Sequence, residues 1–512
     1  MTAEERVVVM RDEAPSKGRE AQMHNIRAAK AVAETVRSTL GPAGMDKMLV
    51  DGHGNVINTN DGATILRELD VAHPGAKMVV EMAKTQETMC YDGTTSAVVL
   101  GGELLGNSEQ LFAKGLHPNV ICRGFHQAAR WAVEHARELP NGSTDLTDVA
   151  KTAMTGKTVE HSMEEASKLC VNAVIDADGD IGKVRVLCQP GGAVGDSSLF
   201  PGIIMHKQFM IPVEGTFTHV VLINGGLMPE KMEDLSIQFQ SASEAKEFVN
   251  EQKKKSMLQK ASHILAALPD GGVVFVRDGV AENVARFLAD NNVGVVMRIH
   301  ESDILSLSRL LGAPITHDAW DVDADTARPA KSVREQNMAN VDFVVVEMNE
   351  EICDVSTLVL RGATRQTLEE YERAFKDALG VVSLAFHDSK VIAGGGSAYI
   401  SMAHHLRQRA TDIGGREQMA VEAFAEALEA IPATIAENAG HDPLDTVLAL
   451  RNDHQQGRSD FGPDILNGGT CSMSAAGVFE PLTIVTQAVQ SAAEVATSVL
   501  RIDDIISRRD ET

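Results

Sequence analysis

The stretch CYDGTTS, Cys90–Ser96, separates two predicted helices. One helix is predicted to open at Pro74, since proline suits a first helical position. The next is predicted over about Thr94–Ala113 from its apolar periodicity. The turn between them offers backbone N–H groups at a helix start, a glycine and three hydroxyl groups, which a phosphate site requires. Asp92 in this turn could also hold a Mg²⁺ that bridges phosphate oxygens.

The local pattern leaves a second interpretation open, because Asp-Gly followed by Thr also makes an ordinary helix cap. Other glycine turns raise the same question. LGPAGMDK (40–47) and VIAGGGSA (391–398) could pack against a nucleotide or could simply end or join elements. MTGKT resembles the end of a Walker A loop, but Lys151 stands where that loop needs its first glycine. Lys157 in MTGKT could still meet a terminal phosphate, or could be a plain surface lysine.

Composition excludes several classes of protein. The chain has 512 residues, which suggests about three domains. A net charge of -25 argues against nucleic-acid binding, which needs basic patches. Six scattered cysteines without metal-ligand spacing indicate free thiols in a reducing compartment, so we expect a cytoplasmic protein. We expect neither a signal peptide nor a membrane-spanning segment.

The order of patterns along the chain predicts an inserted domain. The start is helical, with Ile26, Ala29, Ala33, Val36 and Leu40 on one face. A Gly/Pro-rich segment then leads into apolar β-branched runs that alternate with helical segments, which is typical of an α/β domain. The last 110 residues or so are predicted to be almost wholly helical. We therefore predict a multi-domain α and α/β fold.

Nine motifs in one order carry a resemblance to a known family. The chain resembles a group II chaperonin of the thermosome and eukaryotic cytosolic chaperonin type over nearly its whole length. The motifs are LGPAGMDKML, NDGATIL, HPGAKMVVEMAKTQ, DGTTS, MTGK, DALGVV, AGGGSA, AENAGHDPLD and QSAAEVATSVLRIDDII.

The resemblance implies a helical equatorial domain that binds ATP, an intermediate hinge domain and an α/β apical domain that grips clients. A helical protrusion at about 227–258, with a capping box at Ser241 and Glu244, would serve as a built-in lid. The implied boundaries are 1–150 and 395–512 for the equatorial domain, 151–201 and 361–394 for the intermediate domain, and 202–360 for the apical domain.

The resemblance also implies a site for ATP and Mg²⁺. Asp61 and Asp377 would position and activate the attacking water, and Asp92 would hold Mg²⁺. Because Asp377 would belong to the intermediate domain and Asp61 to the equatorial domain, the water site would be complete only when the two domains close. The implied nucleotide-binding residues are Gly41, Pro42, Gly93, Thr94, Thr95, Ser96, Lys157, Gly395 and Glu480.

The chain departs from the family pattern at several positions. Tyr91 replaces the glycine before the metal aspartate, and Val485 replaces a basic nucleotide contact. Tyr399 and Ser401 stand where acidic residues often serve an inter-subunit ion pair. Tyr91 leaves two alternatives: either it adopts a strained left-handed backbone, or its backbone is ordinary and its ring lies over the nucleotide pocket or at a subunit contact.

The expected function is that of an ATP-dependent folding chaperonin subunit. It would act on unfolded proteins in a double ring, with eight identical or paralogous subunits per ring. One alternative is a ring-forming paralogue with weak or no ATPase activity that serves as a structural or holding subunit. Another is an ordinary Mg²⁺-dependent nucleotide enzyme.

Overall fold

The computed structural model divides the chain into two compact units. One unit comprises residues 1–171 and 369–512, and the other comprises residues 172–368. The finer division into equatorial, intermediate and apical domains stays a prediction. The structure describes residues 18–504 apart from 51–53, 55, 141–144, 158, 160–161, 230–241, 339–340, 349–354 and 389, and it describes no side chains at 242–250 or 253.

The first unit is mainly helical. Helices and strands are numbered along the chain, and α7 and α11 each run across a boundary between the units. The helices are α1 (Arg19–Arg37), α2 (Gly62–Glu68), α3 (Pro74–Cys90), α4 (Thr94–Ala113), α5 (Pro118–Ala136), α6 (Leu146–Met154), α7 (Met163–Asp176), α11 (Arg365–His387), α12 (Ser397–Ile413), α13 (Gly415–Asn438), α14 (Pro443–Gln455) and α15 (Leu482–Leu500).

The predicted helical face at the start of the chain is confirmed. Ile26, Ala29, Ala33, Val36 and Leu40 are all buried in one core. That core also takes side chains from α3, α4, α5, α12, α13 and α15, with the Phe125 and Phe424 rings edge to face at 5.6 Å. The first unit is therefore held by one aliphatic core built from both ends of its sequence.

Short strands interrupt the helices of this unit. A hairpin is formed by β1 (Lys47–Val50), paired antiparallel with β2 (Val56–Thr59). The prediction of an almost wholly helical end missed three-residue strands there, because such short strands produce no periodicity. They are β13 (Phe461–Pro463), β14 (Thr470–Ser472) and β15 (Phe479–Pro481). β13 pairs with β14, and β15 pairs with β12 (Val391–Ala393), which lies before that end.

The second unit is the predicted α/β unit. Its nine strands form one mixed sheet in the order β3-β11-β4-β10-β9-β5-β6-β7, with β8 beside β5. The elements are β3 (Val184–Pro190), β4 (Ser198–Met205), β5 (Phe217–Ile223), α8 (Ala242–Ala267), β6 (Gly272–Val276), α9 (Glu282–Asp290), β7 (Val293–Val296), α10 (Glu301–Leu311), β8 (Ile315–Thr316), β9 (Arg328–Met338), β10 (Val341–Glu347) and β11 (Ser356–Gly362).

The unbroken apolar runs of β5 and β6 follow from burial on both faces of this sheet. Val220 and Leu222 lie in the core on one face, and Val221 and Ile223 lie in the core on the other. Successive side chains of a strand point to opposite faces, so a strand covered on both sides needs apolar residues at every position.

The predicted lid segment is described only in part. The capping box at Ser241 and Glu244 lies outside the described side chains. The later part of α8 is anchored, because Met257, Ala261 and Ile264 are buried in the core beneath one face of the sheet. Among the described helices, none is long and apolar enough to cross a membrane.

Candidate active site

The turn between α3 and α4 leaves the backbone N–H groups at the start of α4 without a side-chain cap. Gly93 precedes α4 with φ 76°, and a Cβ at this position would lie 2.6 Å from Ile484 Cγ2, so conformation and space both require glycine. No side chain caps the first turn of α4. The orphan N–H groups there can therefore bind an anion.

A buried glutamine that sequence reasoning missed supports this turn. Gln86 Nε2 donates to the backbone oxygen of Asp92 at 3.0 Å and to that of Ile484 at 3.2 Å. Its signal in the sequence is a polar residue on the apolar face of α3, in line with Val79, Met82 and Ala83. Asp92 itself accepts from the Gly93 N–H through Oδ1 at 2.7 Å.

Asp61 lies at the start of α2, beside the start of α4. Its carboxylate accepts from the N–H groups of Ala63 at 3.3 Å and Thr64 at 2.9 Å, so it is the N-cap of α2. A Cβ at Gly62 would lie 2.5 Å from Thr95 Oγ1. The NDG and DGTTS motifs are therefore in direct contact, and Asp61 has a structural role in addition to any chemical one.

The turn that carries Lys157 packs against the turn after α1. A Cβ at Gly156 would lie 3.0 Å from Pro42 Cα and 3.3 Å from the Gly41 backbone oxygen. Asn60 Nδ2 also donates to the Gly156 backbone oxygen at 2.8 Å. These contacts bring the LGPAG, NDG and MTGK motifs together.

Lys157 and Asp377 form the ion pair at the centre of the site. Lys157 Nζ lies 2.7 Å from Asp377 Oδ2, and the two side chains are 19% and 24% exposed. Burial acts to lower the pKa of Lys157, but the carboxylates of Asp377, Asp92 and Asp61 more than offset this and raise it. Burial raises the pKa of Asp377 to about 6, against the lowering effect of Lys157, and the Asp61 charge adds to the rise.

The charges at this site fit a hard cation that arrives with phosphate. Three carboxylates, those of Asp61, Asp92 and Asp377, act on one lysine ammonium group, so negative charge is in surplus. Within the described part of the chain, no group of three or more His, Cys, Asp and Glu side chains could hold a metal by itself. Mg²⁺ is usually bound by one or two carboxylates with phosphate oxygens and water, so the residues fit it.

The other end of the site is formed by the small β12–β15 sheet. Glu480 pairs with Ile392 in this sheet, and its carboxylate would lie 3.5 Å from a Cβ at Gly394. Burial raises the pKa of Glu480 to about 8, and the Asp92 charge adds to the effect. Gly395 has φ 61° and backs onto Met473, whose Sδ would lie 2.4 Å from a Cβ there.

Tyr399 and Ser401 are buried rather than presented to a neighbouring subunit. The Tyr399 hydroxyl is hydrogen-bonded to Ser96, while burial and the Glu480 charge raise its pKa well above the usual value. Ser401 Oγ lies 3.0 Å from His135 Nε2. Tyr399 thus links the start of α12 to the start of α4, a contact that sequence reasoning did not predict.

The interpretation of Val485 changes. Val485 is fully buried in the core of the first unit, so it packs there. Elsewhere in this unit, the His405 ring stacks on the His135 ring, with centroids 4.3 Å apart.

Tyr91 adopts the strained conformation. It ends α3 with φ 58° and ψ -5°, which is the left-handed region, so the first of the two alternatives is confirmed. Its ring lies against Gly380 of α11. All the predicted site residues therefore lie in the first unit, and most are linked by direct contacts.

Comparison with known proteins identifies the family of this chain. Residues 32–510 match the model of the TCP-1/cpn60 chaperonin family. The thermosome subunit alpha of Halobacterium salinarum is 40% identical, over 98% of this chain and 91% of that protein. A thermosome subunit of Methanopyrus kandleri is 41% identical, over 96% and 93%. The thermosome subunit alpha of Thermoplasma acidophilum is 38% identical, over 100% and 96%.

The chain therefore belongs to the TCP-1/cpn60 chaperonin family. It is a group II chaperonin subunit of the thermosome type, an ATP-hydrolysing chaperone. The resemblance predicted from the nine motifs and the predicted fold class are confirmed.

Proposed function

We propose that Mg-ATP binds where the LGPAG, NDG, DGTTS, MTGK and AGGGSA motifs meet, and that its hydrolysis there drives the folding of unfolded proteins. The observation that carries this proposal is the Lys157–Asp377 ion pair, 2.7 Å apart, with Asp61 and Asp92 close enough to act on both charges. Four separate motifs of the sequence, NDGATIL, DGTTS, MTGK and DALGVV, have to meet to produce this arrangement.

The phosphates would be bound by backbone groups and hydroxyls. The uncapped first turn of α4 supplies N–H groups, and Thr94, Thr95 and Ser96 supply hydroxyls. Gly41 and Pro42 would lie against the nucleotide from the turn after α1. Asp92 would hold Mg²⁺, which when bound neutralises charge on the phosphate oxygens.

The water would be held and deprotonated by the two remaining carboxylates. A γ-phosphate would draw Lys157 away from Asp377, because three anionic oxygens compete with one carboxylate for the ammonium group. Asp377 would then share an attacking water with Asp61. While Lys157 is still paired with it, Asp377 has a pKa of about 6, so the carboxylate is largely ionised near neutral pH and can accept a proton.

The nucleoside would lie at the β12–β15 end of the site. Gly395 would pack against it, and Glu480 would reach the ribose. With a pKa of about 8, Glu480 is mostly protonated at neutral pH and can donate a hydrogen bond as well as accept one.

We also propose the assembly and location that the family resemblance implied. The subunit would form a double ring of eight identical or paralogous subunits per ring around unfolded clients. The intermediate segments 151–201 and 361–394 would act as the hinge. A cytoplasmic location is supported by Cys90, Cys122, Cys170 and Cys471, none of which forms a disulfide.

The test removes each proposed water-binding carboxylate in turn. Asp377→Asn and Asp61→Asn should each lower ATP turnover by about 100-fold or more, the scale of a lost general base. Nucleotide affinity should change little, because neither side chain is proposed to bind the nucleotide directly. Phosphate release and a nucleotide titration on the same preparation measure both quantities.

A matched control separates chemistry from helix capping. Asp61→Asn keeps a good N-cap residue. Asp442→Asn makes the same change at the N-cap of α14, where Asp442 accepts from Leu444 and Asp445, and it should leave turnover unchanged. Near-normal turnover in Asp377→Asn would remove this residue from the water site. A wild-type ring without turnover would favour the structural or holding subunit instead.

A further inference from the structure

Tyr91 and Gly380 form a contact that no larger residue at 380 would permit. A Cβ at Gly380 would lie 2.1 Å from Tyr91 Cγ and 2.5 Å from each Cδ. These are the ring atoms closest to the Tyr91 backbone, so they cannot move away as the end of a long flexible side chain could. The bare backbone of α11 therefore lies directly against the tyrosine ring.

Tyr91 has an unfavourable backbone conformation, and Gly380 has a low helix propensity at its position. Tyrosine is strained in the left-handed region, at φ 58°, and glycine weakens the interior of a helix such as α11. The two residues are complementary in size. The ring fills the space that a side chain at 380 would occupy, and the glycine admits the ring.

The contact joins two parts of the proposed active site. Tyr91 immediately precedes Asp92, and its backbone is held by a hydrogen bond from its N–H to the Glu87 oxygen at 2.9 Å. Gly380 lies three residues after Asp377 on α11, so the two share a helix face. The ring thus sets how closely α11 approaches the turn that carries the metal aspartate.

We propose that Tyr91 is a positioning residue: its ring, received by Gly380, fixes α11 so that Asp377 meets Lys157 and the attacking water. The inference rests on the proposed function, because it assigns Tyr91 a role in the same hydrolysis. The ring acts through Asp377 and does not touch the reacting atoms.

A double-mutant cycle on the full chain tests this positioning. Gly380→Ala should lower kcat about tenfold or more, because its Cβ forces α11 away from the ring, and Tyr91→Gly should lower kcat about threefold by leaving α11 loose. Nucleotide affinity should change less than about twofold in Tyr91→Gly, since binding is proposed to rest on other groups. In the double variant Tyr91→Gly/Gly380→Ala, the alanine Cβ has no ring to meet, so the alanine should not lower kcat further. The kcat of the double variant should therefore lie within about threefold of wild type.

Two matched variants complete the experiment. Tyr91→Phe keeps the ring and should behave as wild type. Gly106→Ala places alanine in α4, where the nearest neighbour of its Cβ is the flexible Lys30 Nζ at 3.4 Å, and it should leave kcat unchanged. If the effects of Gly380→Ala and Tyr91→Gly on kcat are additive in an enzyme that still hydrolyses ATP, the positioning role of Tyr91 is wrong. The proposed function would then still stand.

Other outcomes are equally decisive. If Gly380→Ala does not fold, the variants Tyr91→Phe, Tyr91→Leu and Tyr91→Gly are compared instead. We expect kcat to fall when the ring is lost, while nucleotide affinity stays constant. Equal kcat values in the three variants would overturn the inference. Absence of turnover in wild type would overturn the proposed function itself. If wild type binds no nucleotide while Tyr91→Gly does, Tyr91 blocks the site, which overturns the positioning role.

Discussion

At the scale of single residues, the carboxyl group of Glu480 links the site to pH. Its pKa is raised to about 8 by burial and by the Asp92 charge. The folded chain therefore holds this proton more tightly than the unfolded chain does. As the pH rises from the pKa of the unfolded chain through that of the folded chain, the free energy of unfolding decreases. The reason is that Glu480 must ionise while it is buried in the folded chain.

Glu480→Gln should remove this pH dependence. At about pH 9 the variant should be more stable than wild type by on the order of 1 kcal/mol or more, since each pKa unit corresponds to about 1.36 kcal/mol. At about pH 5 the two should be alike, because Glu480 is then protonated in the folded state. Thermal unfolding of the nucleotide-free chain across this range measures the difference.

The exposed Glu426 on the same unit provides the control. Glu426→Gln removes one negative charge from the surface without relieving a buried one. A Glu480→Gln variant that loses stability at high pH would contradict the burial argument.

Sequence reasoning at this scale could propose a role where a residue lies in a motif, and could not where a distant contact creates the role. Asp92 and Lys157 could be singled out from their own neighbours. The role of Gln86 could not, because it depends on a hydrogen bond to Ile484, 398 residues later. Gly380 likewise looks like an ordinary helical glycine until Tyr91 is placed against it.

At the scale of elements, one buried carboxylate ties three helices together. Glu429 of α13 is 5% exposed and accepts from Arg407 of α12 at 2.5 Å and from Arg451 of α14 at 2.5 Å. Both guanidinium groups bond to it through two nitrogens. Two-point contacts of this kind fix the helices in orientation as well as distance.

Glu429→Ala should destabilise the first unit by about 1–3 kcal/mol, because it removes charge-assisted hydrogen bonds to two guanidinium groups that are themselves 35% and 41% exposed. Glu417→Ala on the same helix is the matched control. Glu417 is 40% exposed and pairs with Arg123 at 2.8 Å, so its loss should cost only about 0–1 kcal/mol. Thermal or denaturant unfolding compares the two, and equal losses would contradict a special role for the triad.

Long elements were more predictable than short ones. The start of α3 at Pro74 and the span of α4 match the sequence prediction, because both helices carry a clear start signal and a long periodic pattern. The strands β5 and β6 were found from their β-branched runs. The strands β13, β14 and β15 were missed, since three residues carry too little pattern to separate a strand from a loop.

At the scale of the whole molecule, the proposed lid meets the α/β unit at a defined point. Leu227 N–H donates to the Gly279 oxygen at 2.9 Å before the segment, and Met257 is buried in the sheet core after it. The segment between these two anchors can therefore be removed without disturbing the described core.

Deleting about Met228–Gln252 should leave ring assembly and ATP turnover intact, because the proposed site lies entirely in the first unit. Enclosure of a client should fail. Protease protection of a bound client in the presence of ATP measures enclosure, with the full-length ring as the control. A deleted form that still shields its client would show that the segment is not a lid.

The meeting of both chain ends in the first unit also has a consequence for biosynthesis. Asn438 donates to the oxygens of Arg37 and Leu40, and Gln86 donates to that of Ile484, so the turns around the site depend on residues made almost 400 positions later. On the ribosome, the early motifs emerge long before their partners exist. A half-made chain cannot hold nucleotide in this arrangement, so only completed subunits would reach the loaded state.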